Sequence, residues 1–221
     1  MNRKCTACDL VNFSTSDACR RCGADLAGVP PANPALAEPR FGGRTLGRWL
    51  GWTATMAATI LALGYASLLA TSDGLPAEQA QVVAAATGVL ERAGFEREAF
   101  LLRHAASFRS TDNWWNRYLG HQTAYAATNF PFAVITLYPA FFRFPVDDVE
   151  RAMVLLHEAH HLRGEDEPAA LQRVWLEKGR LGWTAAAYGH TRLWRNTREW
   201  TAAGVPLLFH CGSDGRSDCL E

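Results

Sequence analysis

Net charge is the first thing this sequence lacks. Lysine plus arginine and aspartate plus glutamate number 22 each in 221 residues, so no overall basic field exists to recruit nucleic acid or acidic lipid. Also missing are a dinucleotide fingerprint, a phosphate-binding loop and a serine nucleophile elbow, which leaves nucleotide-dependent and serine-hydrolase chemistry without a motif. The chain is too short for two full hydrophobic cores, and it fits one ordinary domain with accessories. One absence is local. Between Trp49 and Ala70 there is no charge and no proline, and at the helical rise this run extends about 33 Å, close to the hydrocarbon thickness of a bilayer.

A membrane-spanning helix over 49–70 is therefore expected. Thr53, Thr55 and Thr59 can return their hydroxyls to the helix backbone, and Trp49, Trp52 and Tyr65 suit the interfaces. The long segment before the run sets it apart from a cleaved signal peptide. Arg40, Arg44 and Arg48 lead into the span, whereas Asp73 and Glu78 follow it. The positive-inside rule then places the N-terminus in the cytoplasm and residues 75–221 outside. Cysteine usage agrees: four of the six crowd the N-terminal segment at metal-ligand spacing, and Cys211 and Cys219 sit near the far end, suited to a disulfide outside the cytoplasm.

Cys5-x2-Cys8 and Cys19-x2-Cys22 are two knuckles that let four thiolates surround one tetrahedral zinc, with Gly23 suited to the tight backbone after the last cysteine. So few apolar residues lie between them that metal binding and folding should be one event. Residues 1–26 resemble the short bacterial zinc ribbons that precede a transmembrane helix. CTACDLVNFSTSDACRRCG also resembles the RanBP2-type zinc finger, with Asn12 at that family's asparagine position. The resemblance implies a protein partner for the ribbon; Arg3, Lys4, Arg20 and Arg21 form only a modest basic patch, so nucleic acid is not the expected ligand. Residues 27–48, rich in proline, alanine and glycine, read as a linker.

In the distal part, Pro76 to Arg92 has apolar residues at helical spacing, with Pro76 at the first turn and Gly94 at its end. Phe95 to Asn129 is ambiguous. It contains Trp114, Trp115, Tyr118 and Tyr125, which suit a helical core or the wall of a cleft. FAVITLYPAFFRF, Phe132 to Phe144, reads as a strand interrupted at Pro139. Asp147 and Asp148 then start a helix near its positive end.

That helix carries HExxH in its last turns. His157 and His161 are four apart and point the same way, so one metal can take an imidazole nitrogen from each, while Glu158 lies beside His157 and can serve a bound water without being a ligand. Gly164 permits a sharp turn that brings Glu167 back toward the metal. Glu165 and Asp166 are the competing third ligands; a straight continuation would leave Glu165 about 6 Å further along the axis. His160 reads as a surface residue or one outside the ligand set. Pro168 to Gly179 should form a following helix with Trp175 buried.

H-E-x-x-H-x-x-G-x-x-E resembles the metzincin motif HExxHxxGxxH with Glu167 at the third position, and is similar to bacterial HExxH families in which an acid shortly follows the helix. No methionine follows Met153 to form a Met-turn. The resemblance, which covers roughly Pro131 to Arg173, implies an α+β fold: a minimal zincin-like domain with an active-site helix, preceded by the zinc ribbon and a single transmembrane helix. It implies a catalytic zinc on His157, His161 and Glu167 and a peptidase in which Glu158 is the general base, acting on peptide or protein substrates near the membrane. Tyr188 and His190 are candidate oxyanion stabilisers. A catalytically silent zinc-stabilised docking domain and a membrane scaffold working through its cytoplasmic ribbon are the alternatives.

Overall fold

The computed structural model describes residues 2–13, 15–29, 43–120 and 125–209. The fold is α+β, and the chain divides into two compact units, Met1–Ala57 and Ala58–Glu221. Cys211 and Cys219, with the disulfide expected between them, lie outside the described residues.

In the first unit, β1 (Asn2–Lys4) and β2 (Val11–Phe13) form an antiparallel hairpin with Arg3 opposite Asn12. The second knuckle follows directly. Its core is Cys5, Cys19 and Leu26, a cluster too small to offset the conformational entropy of ordering the segment, which is the usual condition of a fold that depends on metal.

Helix α1 runs from Gly43 to Ala70, and its stretch Gly47–Ala70, whose most apolar 18-residue window has a mean hydropathy of 1.5, is long and apolar enough to cross a membrane. Only 6 % of its most apolar window is buried, the reverse of a soluble core helix. Thr53 and Thr55 donate to the carbonyls of Leu50 and Gly51 at 3.0 and 2.9 Å, so their hydroxyls are satisfied within the helix. Residues 47–63 are exposed throughout, and cover begins at Gly64. From there the helix, whose residues from Ala58 on belong to the second unit, packs within that unit. Leu68 is buried, and the Tyr65 hydroxyl lies 2.7 Å from Ser107 Oγ. Arg109 donates to the Leu69 carbonyl at 2.6 Å, to Ser72 Oγ at 2.9 Å and to the Ser72 carbonyl. A guanidinium thus caps carbonyls that the helix end leaves unpaired, where the macrodipole favours a cation.

Helices α2 (Ala77–Arg92) and α3 (Glu96–His104) come next, joined by Gly94 at φ +82°. Strand β3 (Ser107–Arg109), helix α4 (Trp114–Leu119) and strands β4 (Ala126–Asn129) and β5 (Val134–Leu137) follow. The sheet has the order β3-β5-β4, with β3 parallel to β5 and β4 antiparallel to it. All four residues of β5 are buried, as befits a central strand rich in β-branched side chains. The strand expected over Phe132 to Phe144 is therefore only its Val134–Leu137 part. Pro139 does not interrupt a strand but sits in the first turn of helix α5 (Pro139–Arg143), where its missing N–H costs nothing.

Helix α6 (Asp148–Leu162) crosses the middle of the unit, packed against α2, α3, α7 and β4. Asp147 caps it, accepting from the amides of Val149 and Glu150 at 3.0 Å each. Ala152 to Leu156 are all buried, so the helix is apolar nearly all round along this stretch, as a central helix must be. After α7 (Glu167–Glu177) come a 3-10 turn (Lys178–Leu181), α8 (Ala185–Tyr188), α9 (Arg192–Gly204) and a last 3-10 turn (Pro206–Phe209). Trp175, Trp183 and Trp194 stack as one cluster, with ring centroids 4.5 to 6.2 Å apart.

Candidate functional site

The last turn of α6 ends in a Schellman arrangement. The Gly164 amide donates to the His161 carbonyl at 2.9 Å and the Glu165 amide to the His160 carbonyl at 3.2 Å, with Gly164 at φ +82°. A side chain at 164 would be strained at that φ, and its Cβ would lie 3.4 Å from Phe130 Cζ. The chain reverses here, Asp166 caps α7 by accepting from the Ala169 amide at 3.0 Å, and Glu167 becomes the first residue of α7.

The reversal brings three donors together. His161 Nε2 lies 3.0 Å from His157 Nε2 and 3.1 Å from Glu167 Oε2, and His157 Nε2 lies 3.4 Å from the same oxygen. A tetrahedral ion with metal–ligand bonds of about 2.05 Å has ligand–ligand edges of about 3.3 Å, so this triangle could hold a metal ion. The His161 ring is oriented from behind: Nδ1 is 2.9 Å from the Glu165 carbonyl, which can only accept, so Nδ1 carries a proton and Nε2 is the nitrogen turned to the triangle. Burial disfavours the charged ring, but the Glu167 carboxylate and the nearby Glu158 outweigh it and hold the His161 pKa up at about 9; Glu167 is held well below the usual carboxylate range by its hydrogen bonds to His157 and His161.

The neighbouring acids are engaged elsewhere. Glu165 pairs with His160 at 3.4 Å and with Arg163 and Arg173 at 3.7 Å, and Asp166 is the α7 cap. His160 is not a surface residue: it is buried between Glu165 and Glu177, and desolvation lowers its pKa.

Glu158 is 4 % exposed, and its Oε2 accepts from Thr128 Oγ1 at 2.7 Å. Thr128 is on β4, an edge strand of the sheet. His157, Glu158, His161 and Glu167 line an open cavity of about 810 Å³, whose other walls include Tyr125, Ala126 to Thr128 of β4, Phe130 and Trp200. Reasoning on sequence missed Thr128: its partner is 30 residues away and no local pattern marks the pair. Tyr188 and His190, expected near the metal, do not line this cavity. The Tyr188 hydroxyl donates to Asp147 Oδ2 at 2.7 Å, at the opposite end of α6, and His190 is exposed.

The second group is Cys5, Cys8, Cys19 and Cys22. Cys5 and Cys22 sulfurs are 3.6 Å apart and those of Cys8 and Cys19 are 3.5 Å apart, near the edge of about 3.8 Å in a tetrahedral tetrathiolate site. Amides of Cys22 and Arg21 point at Cys19 and draw its pKa down to about 6, helped by Cys8 and Asn12. Asn12 is buried and braces the two knuckles. Its Oδ1 accepts from the Arg20 amide at 3.1 Å, while Nδ2 donates to the Leu10 carbonyl at 3.0 Å and approaches Cys19 Sγ at 3.6 Å.

Set against known proteins, the chain matches no family model, no curated protein sequence and no solved structure.

Proposed function

We propose that the chain is a membrane-anchored zinc peptidase, with α1 as its anchor and the His157, His161 and Glu167 triangle as its catalytic metal site. The observation that carries this reading is the placement of Glu158. A buried carboxylate sits beside a three-donor metal triangle, steered by a hydroxyl from an edge strand, at the wall of a cavity open to substrate. Two imidazoles and a carboxylate leave a fourth tetrahedral position free, the donor set of a catalytic rather than a structural zinc.

A zinc ion held there supplies Lewis acidity, acidifying water and polarising a carbonyl. The protein's own residues do the rest. Thr128 fixes one oxygen of Glu158, leaving the other to take the proton of the attacking water and then deliver it to the leaving amine. Strand β4 offers its edge along the same cavity, and an extended peptide can add to such an edge through main-chain hydrogen bonds, which favours a polypeptide substrate. The four cysteines hold a second, structural zinc. By the arginines before α1 and the acids after it, the ribbon is cytoplasmic and the catalytic domain external, acting on proteins or peptides near the membrane surface.

Glu158→Gln tests the reading, because the amide keeps size while removing the base. Full-length protein in detergent should keep its zinc and lose cleavage of an unfolded casein substrate by about 10²-fold or more. Equal cleavage by variant and parent would refute the assignment, and loss of zinc would make Glu158 a ligand instead.

A further inference from the structure

Helix α4 presents an apolar face that the fold leaves uncovered. Trp114, Trp115, Tyr118 and Leu119 are 44, 42, 79 and 49 % exposed, although the first three suit a helical core or a cleft wall on sequence alone. The helix is nevertheless rigidly mounted. Asn116, its one buried residue, donates to Thr136 Oγ1 at 2.9 Å and accepts from Asn129 at 2.8 Å, and Asn113 donates to Asn129 at 2.7 Å. This buried chain of amides ties α4 to β4 and β5 and points its aromatic residues outward.

Where α4 is mounted identifies what covers it. Trp114 Nε1 donates to Ser67 Oγ at 3.1 Å, on the last turn of α1, and the Trp114 amide to Thr71 Oγ1 at 3.2 Å, just past its end. A hydrocarbon core about 30 Å thick takes about 20 residues of helix, so a span beginning at Trp49, just after Arg48, leaves the hydrocarbon near Leu68. Ser67 then lies at the edge of the hydrocarbon and Leu69 to Thr71 in the headgroup layer, about 5–8 Å thick on each side. Tryptophan and tyrosine, with apolar rings and one polar atom each, are the side chains that favour this layer.

We propose that α4 is a lipid-binding foot, with Trp114, Trp115, Tyr118 and Leu119 seated in the headgroup layer of the bilayer that α1 crosses. The turn between β4 and β5 lies at the same level or deeper, since the Phe132 ring packs against Gly64 of α1. Phe130, on that turn and 60 % exposed, also lines the catalytic cavity. The foot therefore holds one wall of the cavity at the membrane surface, and the substrate class that reaches it best is the segment of a membrane protein just outside its own span. The inference rests on reading α1 as a membrane helix and the cavity as a peptidase site.

Its test uses the full chain in phosphatidylcholine vesicles, with the fluorescent residue acridonylalanine replacing either Tyr118 or, as a reference within α1, Met56. Lipids carrying a nitroxide near the headgroup should quench the probe at 118 by roughly twofold, while a nitroxide at the acyl-chain end should quench the probe at 56. If 56 is quenched but 118 is indifferent to both lipids, α4 faces water or protein and the foot is wrong, with the anchor intact. If 56 is not quenched, α1 is not in the bilayer, and the membrane reading falls together with the foot. Neither result bears on zinc or on Glu158, whose test is separate. Tyr118 is the most exposed of the four, so its replacement leaves the fold undisturbed.

Discussion

Replacing Glu167 by alanine separates a metal ligand from its acidic neighbours. The side chain is 61 % exposed, so its ion pairs with His157 and His161 contribute little to the metal-free fold. Its removal should be felt through zinc. Loss of a residue that merely orients a ligand commonly costs 10- to 100-fold in affinity, and a charged ligand itself should cost at least about 100-fold, or about 2.7 kcal/mol. By linkage the same amount disappears from the zinc-dependent stabilisation at fixed excess zinc. For a unit of this size each kcal/mol moves the melting temperature by about 2–4 °C, so the zinc-induced rise should shrink by roughly 5–11 °C. Glu165→Ala should behave in the opposite manner. It removes the partner of buried His160, lowering the melting temperature with and without zinc, but it keeps the backbone carbonyl that orients His161 and so preserves the zinc-induced increment. Differential scanning fluorimetry of both variants, with and without chelator, reads both effects. The reasoning is refuted if Glu167→Ala retains the full increment while Glu165→Ala or Asp166→Ala abolishes it.

Cys8→Ala should remove one zinc from the full chain and unfold the ribbon, visible as new rapid hydrogen exchange across residues 2–29; retention of both metal and protection would contradict the four-thiolate site. Thr128→Val keeps shape while deleting the hydrogen bond to Glu158, and should lower kcat by about tenfold with zinc content and KM little changed; an unchanged kcat would remove Thr128 from the machinery. Asn116→Ala strands the amide of Asn129 in a buried site and should destabilise the fold by about 2–3 kcal/mol in urea titrations. A loss below about 0.5 kcal/mol would show that the amide chain is not needed to hold α4.

The features legible in the sequence were those set by local chemistry. The uncharged run of α1, the Asp147 cap, Pro168 in the first turn of α7 and the left-handed glycines at 94 and 164 each follow from a few adjacent residues, while Pro76, expected in a first turn, is the residue just before α2. The nearness of Glu167 to the two histidines belongs with them, because one glycine and one cap decide where a single turn of chain goes. What was hidden depends on partners far along the sequence. His160 is buried only because α7 folds back over it, and Thr128 reaches Glu158 only because β4 packs on α6. Tyr188 looked available because nothing nearby shows that Asp147, at the far end of α6, already holds its hydroxyl. Pro139 reads as a strand breaker on sequence although a first-turn position suits proline equally well, and what distinguishes the two is that β5 pairing ends at Leu137 and α5 begins at Pro139. The aromatic run of α4 was ambiguous for the same reason. Its rings could have turned into the core, and the deciding contacts come from Asn129 and Thr136 in the sheet and from Ser67 and Thr71 at the end of α1 and just beyond it.

The zinc content of the purified full-length chain tests the central claim most directly. Elemental analysis by mass spectrometry should find two zinc ions per chain, one for each of the two donor groups, falling to one when His157 and His161 are both replaced by alanine. A parent protein with a single zinc that the double variant retains would contradict the catalytic metal site, and the peptidase reading with it.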